Sequence, residues 1–211
     1  MGILLATLVS RLQADVPAVD SVPSSDQYAR AIKDAAADFS RRCGTEKVDA
    51  LSVVSGTAAY TLPDDFLKMI MLESFATADG VLITAAGIIP LDANWEERYT
   101  VRGLTITFYP TPSYSMTRDY RYKAGWVLND DGDEYEDMEE EEAGIILLRA
   151  QAACLTKQSN VMAPEGFSYQ QGDVSVNMGT QTLAVRAQLD SVEKSYIAAC
   201  DQYNGSYGVL A

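Results

Sequence analysis

Histidine is missing from all 211 residues. Its absence removes Ser-His-Asp and Cys-His nucleophile chemistry and every histidine-ligated metal, the commonest ways of building an active site. Cysteine is scarce: Cys43, Cys154 and Cys200 stand far apart and form no CxxC pair. That pattern points to reduced thiols in a cytosolic setting rather than a disulfide framework. Positive charge is also short. Against 30 Asp and Glu the chain has 16 Lys and Arg, a net charge of −14, whereas holding nucleic acid by charge takes a basic face. No apolar run reaches the roughly 20 residues of a membrane span, so no membrane association is expected. The opening MGILLATLVSR lacks a basic n-region and is interrupted by Arg11, and Ala6 stands where a myristoylation pattern needs Ser or Thr. Neither a secretory signal nor a lipid anchor is expected.

What is present is the composition of a folded protein, 47% apolar and 22% charged, long enough for one domain or two small ones with real cores. The chain is organised around residues 138–157, MEEEEAGIILLRAQAACLTK. Four glutamates sit where a helix N-terminus exposes unpaired N–H groups and positive dipole. Apolar residues then cover almost every side of the later turns, with Arg149 interrupting them, which predicts a buried helix at the centre of a bundle. The acidity is local. Ten acids and no Lys or Arg lie between positions 130 and 142, leaving −4 for everything else.

Around that helix the chain reads as helix, helix, β insertion, helix, helix. Residues 3–14 form a short amphipathic helix with Leu5, Leu8, Val9 and Leu12 on one side. Ser24 and Gln27 make a capping-box pattern, followed by Tyr28, Ile32, Ala35 and Phe39 at helical spacing and Gly44 as the stop. From Lys47 the period changes to two, which predicts strands at 49–54, 58–62, 68–76, 81–85, 88–91, 98–101, 105–109 and 117–122, separated by Gly and Pro turns. Residues 163–176 read as loop. A last helix over 178–203 places Val185, Leu189, Val192, Tyr196 and Ala199 on one stripe, and the tail 204–211 is expected to order only on contact. The expected class is α+β: a helical bundle from residues 1–48 and 136–211, with an antiparallel β-sheet or barrel inserted at 49–129.

Few constellations carry chemistry. An EF-hand loop with its glycine at Gly132 would set Val127 and Met138 at the first and last ligand positions, where neither coordinates, so the run reads as a solvated acidic linker. Lys157 and Lys194 have no context that marks an amine nucleophile. The 12 tyrosines lie mostly on strands without interleaved bases, as cross-strand packing requires. The Asn204-Gly205-Ser206 sequon has no secretory context. No cofactor or metal is expected.

One pattern is more specific. Tyr60-Thr61-Leu62-Pro63-Asp64-Asp65-Phe66 ends a strand in a proline turn, and the later stretch GLTITFYPTP, beginning at Gly103, gives an alternating strand and a Pro-x-Pro break. A strand with Tyr120 and Tyr122, the acidic segment and the alanine-containing helix follow. Together these resemble the head-to-tail adaptor (connector) proteins of tailed bacteriophages, and Gly172-Asp173-Val174-Ser175-Val176 is similar to the stretch preceding their last helix. The resemblance covers roughly residues 20–200, and the hydrophobic opening from Ile3 to Val9 departs from it.

The resemblance implies a structural virion protein of the neck. It would be assembled in the host cytoplasm as a ring, usually dodecameric, that extends the DNA channel beneath the portal and carries the tail or the next neck protein. DNA would pass without sequence-specific binding, and no catalysis is implied. On that footing Tyr203, Tyr207, Val209 and Leu210 are candidates for portal docking, Asp79, Gly80, Trp95 and Glu96 for tail-facing loops, and Asp130, Asp131, Asp133 and Glu134 for an acidic lumen or partner surface. The alternative is a small acidic hydrolase or carbohydrate-binding module with its site on the β insertion, made conceivable by the abundance of carboxylates.

Overall fold

The computed structural model describes residues 2–72, 77–78, 81–84, 87–90, 98–162, 168–171, 174–177 and 179–207, with side chains described over 2–72, 98–161 and 183–205. Among these are four helices, α1 (Leu5–Asp15), α2 (Ser25–Cys43), α3 (Glu140–Met162) and α4 (Gly179–Tyr207). The strands are β1 (Ile3–Leu4), β2 (Thr45–Val53), β3 (Ala59–Thr61), β4 (Phe66–Leu72), β5 (Thr77–Ala78), β6 (Val81–Thr84), β7 (Gly87–Pro90), β8 (Arg98–Arg102), β9 (Thr105–Tyr109), β10 (Met116–Ala124), β11 (Glu134–Tyr135), β12 (Ser168–Gln171) and β13 (Val174–Asn177). Every pairing among them is antiparallel, and the class is the expected α+β. Two compact units divide the chain, Met1–Cys43 with Trp126–Ala211, and Gly44–Gly125.

The helical unit is built on α3. Ala143, Ile146, Ala150, Ala152 and Cys154 are almost wholly shielded from water, and α1, α2 and α4 all pack against this helix. No described helix is long and apolar enough to cross a membrane. The N-terminus of α2 is closed by both bonds of a capping box: Gln27 N–H donates to Ser24 Oγ at 3.4 Å, and Ser24 N–H donates to Gln27 Oε1 at 3.0 Å. Its predicted stripe of Tyr28, Ile32, Ala35 and Phe39 is buried. Phe39 stacks on Trp126 at 4.7 Å between ring centroids and meets Tyr203 edge-on at 5.3 Å. In α4 the expected stripe is the packed one: Tyr196 is buried, and Val185, Leu189, Val192 and Ala199 lie partly buried against the same core.

Four local expectations change. The opening helix starts two residues later than predicted, because Ile3 and Leu4 pair with Tyr135 and Glu134, and Leu5 N–H donates to Asp133 O at 2.8 Å. Helix α3 continues to Met162, and α4 runs through the expected tail to Tyr207. The stretch read as loop after α3 holds the hairpin β12–β13, registered from Ser168 opposite Asn177 to Gln171 opposite Val174. With four residues a side, it is too short for its alternation to stand out, although Gly172-Asp173 is itself a hairpin signal.

The described residues of the β unit form three three-stranded sheets, ordered β2-β10-β4, β3-β9-β8 and β5-β6-β7. Leu51, Val53, Phe66, Tyr120 and Tyr122 from the first share one core with Ile106 and Phe108 from the second. Alternation decides which residues point inward: Arg118, Tyr120 and Tyr122 on β10 are all buried. The two motif stretches found forty residues apart in sequence are partners here. Tyr60 lies opposite Ile106, and Leu62 N–H donates to Leu104 O at 2.8 Å. Turn chemistry supports this: Phe66 N–H closes onto Pro63 O at 3.0 Å, and Gly103, at φ +57°, turns β8 into β9 where a side chain would be strained.

Phe39→Ala removes the side chain on which Trp126 and Tyr203 both rest. Chemical denaturation should show a loss of about 3 to 5 kcal/mol, as for other fully buried phenylalanines.

Candidate functional site

The acidic segment is a folded turn rather than the solvated linker the sequence suggested. Asn129 Oδ1 accepts hydrogen bonds from Asp133 N–H at 3.1 Å and Glu134 N–H at 3.3 Å, and Asn129 N–H donates to Glu134 O at 2.9 Å. Gly132 takes φ +74° and donates to Asn129 O at 2.9 Å. Side-chain capping by Asn and a left-handed Gly are the chemistry of a tight turn. The N-terminal strand then clamps the turn from outside. Gly2 passes so close that a Cβ there would lie 2.8 Å from Tyr135 O. Asp130, Asp131, Asp133, Glu136, Asp137, Glu139, Glu140 and Glu141 remain exposed, and Glu134 is half-buried. Arg11 holds Glu140 through two bonds, at 2.6 and 2.9 Å.

Glu142 has a different role. Only 7% exposed, its carboxylate accepts Trp126 Nε1–H at 3.0 Å, Glu139 N–H at 2.7 Å and Tyr203 Oη–H at 2.7 Å. The bond from Glu139 caps α3, and the other two fasten the chain's return from the β unit and the end of α4 to the start of α3. A buried carboxylate is tolerated when its lone pairs are filled in this way.

A second polar knot joins α2, α3 and α4. Asp38 accepts the Tyr196 hydroxyl at 2.9 Å and lies 3.2 Å from Arg42 and 3.4 Å from Arg149. The two guanidinium groups flank the Tyr196 ring at 5.7 and 5.8 Å. Burial works to raise the Asp38 pKa, but the Tyr196 hydrogen bond and the charges of Arg42 and Arg149 outweigh it and hold it below the usual carboxylate range. Burial, with hydrogen bonds to Cys200 and Asp38, pushes the Tyr196 hydroxyl well up. Beside this knot an open groove of about 540 Å³ has Ala35, Ala152 and Ala153 in its lining and Arg149, Lys157 and Glu193 among its charged residues.

In the β unit, Asp49 accepts the Tyr120 hydroxyl at 2.9 Å, and Asp65 accepts the Tyr122 hydroxyl at 3.0 Å and pairs with Lys47 at 2.9 Å. Burial and the Asp65 bond push Tyr122 up to about 12. These contacts brace β10 against its neighbours. The outer face of β3-β9-β8 is of another kind. Cross-strand register puts Ala59, Thr61, Thr105, Thr107, Tyr109, Arg98, Thr100 and Arg102 on one side. All are exposed except half-buried Thr107. No acid occurs anywhere in these three strands.

Of the residues singled out from sequence, the structure brings Asp130, Asp131, Asp133 and Glu134 together on the acidic turn. Tyr203 is a core residue, 3% exposed and bonded to Glu142, so it is not offered to a partner as expected. Tyr207 closes α4, with its side chain outside the described residues, as are Val209, Leu210, Asp79, Gly80, Trp95 and Glu96. Sequence reasoning missed Glu142, hidden among identical neighbours, and Asp38, one acid on a charged helix. It also missed the outer sheet face, although Arg-x-Thr-x-Arg and Thr-x-Thr-x-Tyr both show in the alternation.

The fold is that of an α+β protein of two units, with exposed patches of charge among the described residues. The family model described as SU10 adaptor protein matches residues 3–171, and the chain belongs to that family. It is a structural adaptor of the phage virion neck, associated there with portal and tail proteins. The match takes in β1 and α1, the part of the sequence that the resemblance left unplaced, and ends before the Gly172-Asp173 stretch and α4. No curated protein matches the chain.

Asp38 titrates at lower pH folded than unfolded, so its stabilisation is complete above the unfolded value and is lost as pH falls through the folded one. Wild-type stability should therefore fall below about pH 4, and Asp38→Asn should be weaker at neutral pH and flatter over that acid range, as read from denaturation midpoints at successive pH values.

Proposed function

We propose that the chain assembles into a ring, dodecameric as in the adaptors it resembles, seated beneath the portal, where it extends the DNA channel and carries the tail or next neck protein. Assembly takes place in the host cytoplasm. The observation that carries this reading is the acidic turn: the bonds at Asn129 and Gly132 and the pairing with the N-terminal strand fix its backbone, from which the carboxylates project. DNA has to slide through a channel without being gripped, and a fixed acidic wall repels phosphate within about a Debye length, some 8 Å at physiological salt. In this reading Asp130, Asp131, Asp133 and Glu134 face the lumen. Repetition around a ring multiplies the field of one turn.

Portal docking falls to Tyr207, Val209 and Leu210, beyond the Glu142–Tyr203 bond, the last core contact among the described residues. Asp79, Gly80, Trp95 and Glu96 face the tail. The burial of Tyr203 also tells how the docking element is to be tested: removal from position 203 onward would take out core, whereas removal of residues 208–211 leaves every described core contact in place.

Two experiments test the reading. Deleting residues 208–211 should leave a folded ring that no longer joins the portal in co-sedimentation; a truncated chain that joins as wild type removes the tail from docking. Asp130→Asn, Asp131→Asn, Asp133→Asn and Glu134→Gln together should leave ring size unchanged in native mass spectrometry and raise retention of a double-stranded DNA fragment at low salt. Unchanged DNA retention would return these residues to an ordinary solvated surface.

A further inference from the structure

We propose that in the ring the N-terminal segment, β1 with α1, is exchanged: each copy lays residues 3–16 into the socket of a second copy of this chain instead of its own. The proposal rests on the ring reading and names the contact that joins its members.

Among the described residues, all but one of the hydrogen bonds that fasten this segment to the rest reach more than a hundred positions along the chain. Ile3 and Leu4 pair with Tyr135 and Glu134, and Leu5 N–H donates to Asp133 O at 2.8 Å. Arg11 holds Glu140, and Gln151 Nε2–H donates to Asp15 at 2.7 Å. The exception is Tyr28, whose hydroxyl donates to Val16 O at 2.6 Å. Ile3, Leu8, Leu12 and Val16 complete the attachment by burial in the common core. A helix of 11 residues does not persist alone in water, so it has to occupy such a socket. Every one of these contacts is the same whichever copy supplies the helix. Only the connection to α2 ties it to its own.

That connection is an exposed, strained turn. Val19 and Val22 exchange backbone bonds of 2.9 Å around Asp20 and Ser21, which stand at φ +51° and +65°. Left-handed backbone at both central positions favours Gly and Asn, yet an Asp and a Ser are held in it here. Residues Pro17 to Ser21 are exposed, so straightening the turn uncovers no core. Buried Gln158 marks where it opens: its Nε2–H donates to Pro17 O at 2.7 Å and to Val22 O at 3.4 Å, on either side of the turn. In the exchanged form Val22 stays on its own Gln158, and Pro17 moves to the Gln158 of the second copy. The five steps between them extend to about 17 Å. Two backbone bonds of the turn pass to water, and two strained residues relax. A short hinge under strain favours exchange over closure. Passed head to tail, the segment joins each copy to the next by a heterologous contact, the kind that closes a ring. Because β1 clamps the acidic turn, each copy's turn is then held by its neighbour.

The experiment uses the directly opposed residues Leu4 and Glu134. The bond from Leu5 to Asp133 makes theirs the non-hydrogen-bonded pair, where side chains lie closest and a disulfide fits. The full chain carrying Leu4→Cys with Glu134→Cys is assembled, oxidised and run in SDS without reductant; Cys43, Cys154 and Cys200 are buried and stay out of the reaction. Exchange should give a ladder of linked chains that reductant collapses to one. A ring whose engineered thiols are consumed while its chains run singly overturns the exchange. Should the thiols stay free, a short bis-maleimide joins the same pair and is read in the same way. A chain that forms no ring overturns the ring reading itself, and a ladder that ends at two chains keeps the exchange and overturns the ring. The hinge is tested independently: Asp20→Gly with Ser21→Gly frees the closed turn of strain, and should raise the concentration needed for ring formation about tenfold in sedimentation velocity with an unchanged circular dichroism spectrum. A ring indifferent to that change also overturns the exchange.

Discussion

Three hydrogen-bond donors converge on one buried carboxylate, and the helical unit depends on that convergence. Glu142 is bonded by Glu139 at the start of α3, by Trp126 where the chain returns from the β unit, and by Tyr203 near the end of α4. Phe39 of α2 packs on both of those aromatic rings. Residues separated by more than 160 positions thus meet at one point. A charged group inside a protein costs several kcal/mol unless its lone pairs are filled, and removing one donor leaves the desolvation behind. The contact is therefore cooperative in a sense that apolar packing is not. It fixes which end of α4 reaches the start of α3, where Leu and Ala surfaces alone would allow a sliding register.

The same division of labour separates the acids. Glu140 is engaged by Arg11, Glu142 is buried, Glu134 is half-buried in β11, and the other acids of the run stay exposed on or beside a turn whose shape comes from Asn129 and Gly132. Sequence composition treats all ten as one charge run. Their neighbours make them a bridge, a cap and a surface.

How much was legible follows from signal length. The predicted helices and the eight predicted strands were carried by periodicity over five or more residues in most cases, and Ser24 with Gln27 announced a cap that forms both its bonds. Two-residue strands such as Ile3–Leu4 and Glu134–Tyr135 have no periodicity to read. The two pair with each other, and Ile3–Leu4 therefore depends on a turn more than a hundred residues away. Tyr203 was misread for a related reason: the glycines after it suggested a tail, while the hydroxyl's partner, Glu142, is 61 positions distant and invisible locally. The polar knot at Asp38 needs three helices in place before its residues are neighbours at all.

The β unit shows how one strand can serve two functions through its two faces. In Thr105–Tyr109 the inward positions, Ile106 and Phe108, belong to the core, and the outward ones, Thr105, Thr107 and Tyr109, belong to solvent. The stretch 103–112, one of those on which the family resemblance rests, includes this strand, and packing explains its apolar letters. Threonine favours strands whatever its partner, which accounts for the hydroxyls singly.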